Sequence, residues 1–313
     1  MKIAIFGTGH VGAHVAHALC LQGLAKEILF FDTKSEKVIS EINDLNDAQI
    51  FFPHKVVLKQ GEYSDLADTD LIINSVGKID ILVETGDRVG EMKFTVDAVL
   101  SYIDKIREAG FKGIFVNITN PCDIITKICA EHLALPEGRV FGTGTGLDSA
   151  RLIAAISKRT GLDPKSISAF MLGEHGNKQI AAFSSASVNG VPLNELAHFS
   201  KEELSQIEHE AIRGGWVTFN GKHCTEYAIA LTATRIVSAV KYDEKKLVPA
   251  SAHLNGEYGE KNVFVGVPVV IGKNGIEKII ELNLNEEEKV RFAQCCEGVR
   301  NNEKDFFQKN KIQ

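Results

Sequence analysis

Three residues in the second half of the chain have side chains suited to acid–base chemistry and to binding a carboxylate. His175 lies in a glycine-rich stretch directly after a predicted strand, where its ring would be exposed rather than packed. Asp148 and Arg151 are three residues apart at the start of a predicted helix, so they share one face of it. A histidine oriented by a carboxylate is a general acid–base pair, and an arginine binds a carboxylate through parallel hydrogen bonds. These residues also allow a structural interpretation, in which His175 fills a loop and Asp148 caps its helix and pairs with Arg151.

A second pattern opens the chain and predicts a nucleotide site. Residues 2–6 (KIAIF) are rich in β-formers, and the fingerprint GTGHVG follows at 7–12. Apolar residues at helical spacing continue to Gly23, and a second apolar run at 27–31 (EILFF) ends in Asp32. This order of strand, glycine turn, helix, strand and acid is typical of a dinucleotide-binding unit.

Each glycine of this turn has its own physical role. Gly7 permits the tight turn, Gly9 lets a pyrophosphate approach the backbone, and Gly12 allows close helix–strand contact. The N–H groups and dipole at the helix N-terminus would hold the phosphates. Asp32 can hydrogen-bond the ribose hydroxyls and would repel a 2′-phosphate, which favours NAD as the cofactor. The predicted cofactor-binding residues are Gly7, Gly9, His10, Val11, Gly12, Asp32, Gly77 and Asn120.

Further apolar runs predict strands that alternate with helices. Because most of these runs are continuous rather than alternating in polarity, they indicate a parallel sheet covered on both faces, a Rossmann doubly wound α/β fold. Ligands of such sheets bind at the carboxyl ends of the strands, where Gly7, Gly77, Asn120 and Thr143 lie. The predicted strands are 56–58, 71–76, 113–119 and 139–143, and the predicted helices are 35–48, 88–109 and one that begins at Asn120-Pro121.

The pattern changes after about residue 145 and predicts a mixed α+β substrate domain with antiparallel pieces. We therefore expect an NAD-binding Rossmann domain over 1–145 and a substrate or catalytic domain over 146–313. Gly214-Gly215 is expected to interrupt a long helix before a second helix that carries Thr225. The other predicted elements are a helix at 147–160, a strand at 167–172, hairpins at 188–191 and 274–275, a capping box of Ser200 and Glu203, strands at 247–253 and 263–271, and a helix at 286–308.

Composition limits the classes of protein and partner. A net charge of −6, with no cluster of lysine and arginine, argues against a nucleic-acid partner. No apolar run is long enough to cross a bilayer, and the first strand begins at residue 2, which leaves no room for a signal peptide. The six cysteines form no metal-like or disulfide-like pattern, which indicates buried thiols in a cytoplasmic protein. His10 and His14 are spaced like zinc ligands, but no third ligand accompanies them, so no metal is predicted.

These motifs together resemble the L-lactate/L-malate dehydrogenase family over the whole chain. The matching stretches are GTGHVG (7–12), Asp32, ITNP (118–121), GTGTGLDSAR (142–151), LGEHG (172–176) and Thr225. Within that family the chain is most similar to L-2-hydroxyisocaproate dehydrogenases, through TGDR (85–88), KFT (93–95), Asn177 and the pattern GG-x-x-x-x-NGK (214–222). The resemblance implies an NAD-dependent oxidoreductase that interconverts small 2-hydroxy and 2-oxo acids and assembles as a homodimer or homotetramer.

The resemblance also implies a role for each site residue. His175 is similar to the proton donor to the 2-oxo group, and Asp148 to the acid that holds its imidazole. Arg151 resembles the arginine that binds the substrate carboxylate, and Arg88 the arginine at the end of a mobile loop that polarises the carbonyl. Asn120 resembles the asparagine that hydrogen-bonds near the substrate oxygen, and Thr225 a residue of the pocket wall.

The loop at 78–87 departs from the family pattern and carries the prediction of the substrate. Where lactate enzymes have a glutamine and malate enzymes a second arginine, this chain has an aliphatic run, and Lys78 beside the strand end is its only base before Arg88. We therefore expect 2-oxo acids with apolar side chains, such as 2-oxoisocaproate, as substrates. The alternatives are an L-lactate dehydrogenase, a malate dehydrogenase, or an NAD-binding protein without catalysis; the last would not need His175 as a proton donor.

Overall fold

Six parallel strands in the first half of the chain form the frame that positions the glycine turn. The computed structural model describes residues 1–78, 81 and 88–310, except the side chains of residues 88–90 and 310. The strands are β1 (Lys2–Phe6), β2 (Glu27–Phe31), β3 (Val57–Gln60), β4 (Leu71–Asn74), β5 (Ile114–Asn117) and β6 (Val140–Gly142). Their order is β3-β2-β1-β4-β5-β6, with every neighbouring pair parallel. This order reverses between β1 and β4 and creates the crevice in which such sheets bind ligands.

Helices cover both faces of this sheet, so its central strands are fully buried and need no polar alternation. All four residues of β4 and all four of β5 are buried. The helices of this half are α1 (His10–Leu21), α2 (Ser35–Asp47), α3 (Arg88–Leu100), α4 (Ile103–Glu108) and α5 (Cys122–Leu133). The predicted Rossmann fold is confirmed.

The single helix predicted over 88–109 is wrong, because the chain breaks between α3 and α4 at Ser101 and Tyr102. Tyr102 leaves the helical conformation, with φ −132° and ψ −18°, and its ring is buried. Its hydroxyl donates a hydrogen bond of 2.6 Å to Asn74 Oδ1 at the end of β4. This buried hydrogen bond to the end of a central strand accounts for the break, which helical periodicity alone does not reveal.

The second half adds three antiparallel strands to the same sheet, β12 (Lys246–Asn255), β13 (Lys261–Gly272) and β14 (Gly275–Ile279). Ser251 of β12 pairs with Gly142 of β6, so the sheet is continuous across the predicted domain boundary. The boundary itself stays a prediction. The remaining short strands are β7 (Ile167–Ser168), β8 (Met171–Leu172), β9 (Ile180–Ala181), β10 (Ser187–Val188) and β11 (Val191–Pro192). The remaining helices are α6 (Gly146–Thr160), α7 (Leu193–Leu196), α8 (Lys201–Lys222), α9 (Tyr227–Lys241) and α10 (Glu286–Asn310).

Helix α8 runs without interruption through Gly214 and Gly215, so the predicted break there is wrong. The two glycines instead make room for Arg151 of α6. A Cβ at Gly214 would lie 3.1 Å from Arg151 Cδ, and one at Gly215 would lie 3.3 Å from a guanidinium nitrogen. Thr225 lies in the connection between α8 and α9 rather than on a helix.

The predicted burial of the cysteines is confirmed. All six are buried and none forms a disulfide, and burial raises the pKa of Cys122 and of Cys295 to about 12. A low-dielectric setting that keeps a thiol protonated suits small apolar packing groups. Among the described residues, none of the helices has the length and apolar character that crossing a membrane requires.

Candidate active site

His175, Asp148 and Arg151 form one connected set. His175 Nδ1 donates to Asp148 Oδ2 at 2.5 Å, and Arg151 Nη1 donates to Asp148 Oδ1 at 2.9 Å. The Asp148 side chain is only 1% exposed, and these partners stabilise its charge in that buried position. Asp148 does not cap its helix, because the N-cap position belongs to Thr145. The structural interpretation, in which His175 merely fills a loop, therefore does not describe this geometry.

The elements around these residues fix the orientation of the imidazole. Asp148 and Arg151 lie in the first two turns of α6, and His175 follows β8 by three residues. Because Nδ1 is bonded to the carboxylate, Nε2 is the nitrogen through which the ring can exchange a proton with a ligand. A carboxylate behind the ring also stabilises its protonated form. His175 can therefore donate a proton from Nε2, and the guanidinium of Arg151 lies near it.

A buried acid that sequence reasoning missed holds the backbone of the histidine loop. The amide of His175 donates to Asp123 Oδ2 at 2.8 Å, and the Ser251 hydroxyl donates to Asp123 Oδ1 at 2.5 Å. Burial raises the pKa of Asp123 to about 7, more than these hydrogen bonds lower it. Asp123 is 3% exposed. A charged residue among the mostly apolar buried positions of α5 was the signal in the sequence.

We expect Asp123→Asn to change how stability depends on pH. The pKa of Asp123 rises from near 4 in the unfolded chain to about 7 in the folded protein. Its contribution to the free energy of unfolding is therefore fully present below about pH 4 and is lost as the pH rises through about 7. An amide does not titrate, and its oxygen and nitrogen can still serve His175 and Ser251. From about pH 5 to about pH 8 the variant should therefore gain roughly 2–3 kcal/mol in the free energy of unfolding relative to the wild type.

Urea unfolding at both pH values measures this difference. Asp305→Asn, which removes an exposed carboxyl of α10, is the matched control and should follow the wild type. A difference between Asp123→Asn and the wild type that is the same at both pH values would contradict a buried, titrating Asp123.

One cleft joins the histidine set to the glycine turn. It lies at the carboxyl ends of β1, β4, β5 and β6, and helices α6, α8 and α9 contribute to its other side. Seven of the predicted site residues line it together with Arg151: Gly9, His10, Val11, Gly77, Asn120, His175 and Thr225. Asp148 lies directly behind His175. The side chain of Arg88, at the start of α3, and most of the loop at 78–87 lie outside the described residues.

The glycine turn has the shape that a phosphate group needs. Gly7 has φ +86°, and a Cβ there would lie 2.8 Å from the backbone of Ser75. A Cβ at Gly12 would lie 2.0 Å from the carbonyl oxygen of Gly7, so helix and turn touch at this point. At Gly9 a Cβ would meet nothing within 4 Å, which means that the backbone there faces open space. The turn is closed on its protein side and accessible on its outer side, at a helix N-terminus.

Asp32 lies beside the glycine turn and Asn120 lines the cleft, and both side chains suit a dinucleotide. Asp32 Oδ2 accepts hydrogen bonds from the Thr8 amide (2.8 Å) and hydroxyl (3.0 Å), and Oδ1 accepts one from the Lys34 amide (3.0 Å). The acid is thereby fixed at the end of β2 beside the turn. Asn120 Oδ1 is buried at the cleft and has no hydrogen-bond partner among the described residues. A buried acceptor of this kind suits a ligand with a donor group.

Trp216 and Phe219 form an apolar wall that sequence reasoning missed. Both side chains come from α8, and their rings meet edge to face with centroids 5.8 Å apart. Leu147 and Ile229 add aliphatic surface to the same cleft. The two rings are three residues apart on one helix, which is the spacing that places side chains on the same helix face.

Comparisons with known proteins agree with this geometry. Residues 1–142 match the lactate/malate dehydrogenase NAD-binding domain, and residues 145–310 match the lactate/malate dehydrogenase alpha/beta C-terminal domain. An L-lactate dehydrogenase of Fusobacterium nucleatum subsp. nucleatum is 42% identical over 300 residues, 94% of this chain and 93% of that protein. L-lactate dehydrogenase 1 of Bifidobacterium longum subsp. longum is 35% identical over 304 residues, 96% of each chain.

A solved structure gives the same result for the fold. The minor L-lactate dehydrogenase of Enterococcus mundtii, in its ligands-bound form, superposes with a TM-score of 0.92 at 33% identity, covering 97% of this chain and 98% of that one. The NAD-binding domain match includes the glycine turn, and the C-terminal domain match includes His175, Asp148 and Arg151. The chain belongs to the lactate/malate dehydrogenase family and uses NAD as its cofactor.

Proposed function

We propose that the protein is an L-2-hydroxyacid dehydrogenase whose main candidate substrate pair is L-lactate and pyruvate. The observation that carries the proposal is the bonded set of His175, Asp148 and Arg151 at the wall of the NAD cleft. The names of the relatives in Fusobacterium and Bifidobacterium support lactate in particular. Homo-oligomeric assembly stays a prediction.

The side chains of this site divide the work of the reaction. Arg151 binds the carboxylate of the substrate, and its approach to Gly214 and Gly215 limits the directions in which it can turn. His175 gives a proton from Nε2 to the 2-oxo oxygen, and Asp148 stabilises the charged imidazole from which that proton comes. When bound, NADH supplies the hydride that C2 of the substrate receives.

Three further residues have proposed roles around the reacting carbon. Asn120 offers its side-chain amide at the cleft, and Thr225 forms part of the cleft wall. Arg88 is proposed as the residue that polarises the 2-oxo group. Hydrogen-bond donors aimed at an oxygen that gains negative charge stabilise the transition state more than the ground state.

The second candidate is a 2-oxo acid with a longer apolar side chain, such as 2-oxoisocaproate. The specific observation in its favour is the apolar wall formed by Trp216, Phe219, Leu147 and Ile229. An isobutyl group would bury about three more CH₂ equivalents than the methyl of pyruvate, at roughly 0.8 kcal/mol each. If the wall receives that group, the gain is about 2 kcal/mol, or more than about tenfold in kcat/KM.

A panel of three oxo acids separates the two candidates. We expect kcat/KM with NADH to be highest for pyruvate and lowest for oxaloacetate, whose second carboxylate would have to be desolvated against the apolar wall. A kcat/KM for 2-oxoisocaproate more than about tenfold above that for pyruvate would favour the second candidate. A kcat/KM that is highest for oxaloacetate would contradict both candidates. It would indicate that a cation such as Lys78 binds the second carboxylate of the substrate.

The choice between NADH and NADPH tests Asp32. A 2′-phosphate beside this carboxylate would be a contact between like charges, so we expect a strong preference for NADH in kcat/KM. Asp32→Ser should narrow the preference. Asp44→Ser, which removes an exposed acid of α2, is the matched control and should leave the preference unchanged. Equal values for the two cofactors in the wild type would show that Asp32 does not contact the ribose.

A further inference from the structure

Three ligand-type side chains from distant parts of the chain meet at the edge of the NAD cleft. They are His10 in the glycine turn, and Cys224 and Glu226 between α8 and α9. Their ligand atoms all lie within 4.8 Å of one another. Cys224 and Glu226 are buried, and the imidazole of His10 is exposed. The sequence prediction of no metal rested on His10 and His14 lacking a third ligand, and it did not consider this set.

The distances within the cluster suit a tetrahedral cation. His10 Nδ1 lies 3.0 Å from Glu226 Oε1, and Cys224 Sγ lies 3.1 Å from the same oxygen. Zinc binds nitrogen and oxygen at about 2.0 Å and sulfur at about 2.3 Å, which places neighbouring tetrahedral ligands roughly 3.3–3.8 Å apart. An ion could therefore be inserted with shifts of a few tenths of an ångström for the two measured pairs.

The surroundings of Glu226 support a ligand role for one of its oxygens. Lys222 Nζ contacts Oε2, which leaves Oε1 directed at His10 and Cys224. Carboxylates that bind metals are commonly oriented by a hydrogen bond of this kind to the other oxygen. His14 is arranged differently: its ring lies 2.8 Å from the carbonyl oxygen of His10 and packs on Tyr227, which lies after Glu226.

We propose that His10, Cys224 and Glu226 form a site for a thiophilic divalent cation such as Zn²⁺, with the fourth position open to water. On binding, the Cys224 thiol gives its proton to solvent and the thiolate becomes a ligand. Because His10 and Cys224 line the same cleft as Gly9 and Val11, the cation would hinder NAD binding. The site is thus inhibitory rather than catalytic.

Cobalt(II) titration of the full-length protein without cofactor tests the site independently of the proposed reaction. Cobalt replaces zinc in such sites, and a thiolate ligand gives it a charge-transfer band in the near ultraviolet. We expect this band to saturate at about one equivalent, and the cobalt affinity to fall by at least about tenfold in Cys224→Ser, His10→Asn and Glu226→Gln. His14→Asn is the matched control and should bind cobalt like the wild type.

Several results would overturn the site. They are a missing charge-transfer band, a band that persists in Cys224→Ser, or a loss of affinity in His14→Asn as large as in His10→Asn. Circular dichroism of each variant confirms that an altered affinity does not come from unfolding.

The inhibitory effect has its own measurement. Zn²⁺ should raise the Kd of the wild type for NADH, followed by NADH fluorescence, and a chelator should restore it. In Cys224→Ser the same Zn²⁺ concentration should leave the Kd for NADH unchanged. A wild-type protein that gives the cobalt band but binds NADH equally well with and without Zn²⁺ would overturn the inhibitory role.

Discussion

Replacing His175 with asparagine is expected to lower kcat by roughly 10³–10⁵-fold while NADH still binds with nearly unchanged affinity. Acid catalysis and the stabilisation of charge on the 2-oxo oxygen are lost together, because one imidazole provides both. The glycine turn and Asp32 are unchanged in this variant, so the groups that would bind the phosphates and the ribose remain. Steady-state kinetics and NADH fluorescence measure the two quantities separately.

A matched variant shows whether the effect is specific to this histidine. His209 is an exposed histidine of α8, and His209→Asn should leave kcat unchanged within about twofold. Turnover of His175→Asn close to that of the wild type would mean that His175 is structural and that the proton comes from another group.

Replacing Arg151 with glutamine is expected to have the second-largest effect, and it should fall on the substrate rather than on NADH. Without the Arg151 guanidinium, the carboxylate of the bound oxo acid loses its partner in a partly buried site. Such a loss costs about 2–5 kcal/mol, or roughly 30- to 4000-fold in kcat/KM for the oxo acid. Arg151→Lys keeps the charge but loses the paired geometry, so its loss should be intermediate.

The same helix provides the control for this experiment. Arg159 of α6 is also bonded to a carboxylate, with Nη1 and Nη2 at 3.0 and 2.6 Å from the oxygens of Glu210, but near the surface. Arg159→Gln should leave kcat/KM within about twofold of the wild type, because Arg159 is not among the residues that line the cleft. Equal losses in the two arginine variants would show that Arg151 supports the fold and does not bind substrate.

Local patterns in the sequence predicted the frame of this site. The glycine turn ends a strand and begins a helix within a few residues, so its geometry follows from short-range rules about φ and helix N-termini. The spacing of Asp148 and Arg151 on one helix face is likewise local. The approach of His175 to Asp148 was expected from the family resemblance, and in the structure His175 Nδ1 lies 2.5 Å from Asp148 Oδ2; the catalytic roles of the two residues stay a prediction.

Contacts between distant segments could not be predicted in this way. The pairing of Ser251 with Gly142, which joins β12 to the parallel sheet, depends on the packing of the whole second half. Gly214 and Gly215 leave space for Arg151, which comes from another helix. This tertiary contact outweighs their low helix propensity. Cys224 and His10 meet only because α8 and α9 return to the glycine turn.

Single-turnover oxidation of NADH tests whether the protein is an NAD-dependent 2-hydroxyacid dehydrogenase. The protein is given one equivalent of NADH per active site and mixed rapidly with each of the three oxo acids, while the near-ultraviolet absorbance of NADH is followed. We predict that pyruvate or 2-oxoisocaproate removes about one NADH per active site, that the product is the L-hydroxy acid, and that His175→Asn removes almost none on this timescale. NADH that binds but is not oxidised by any of these oxo acids would contradict the proposed function and would make this an NAD-binding protein without that activity.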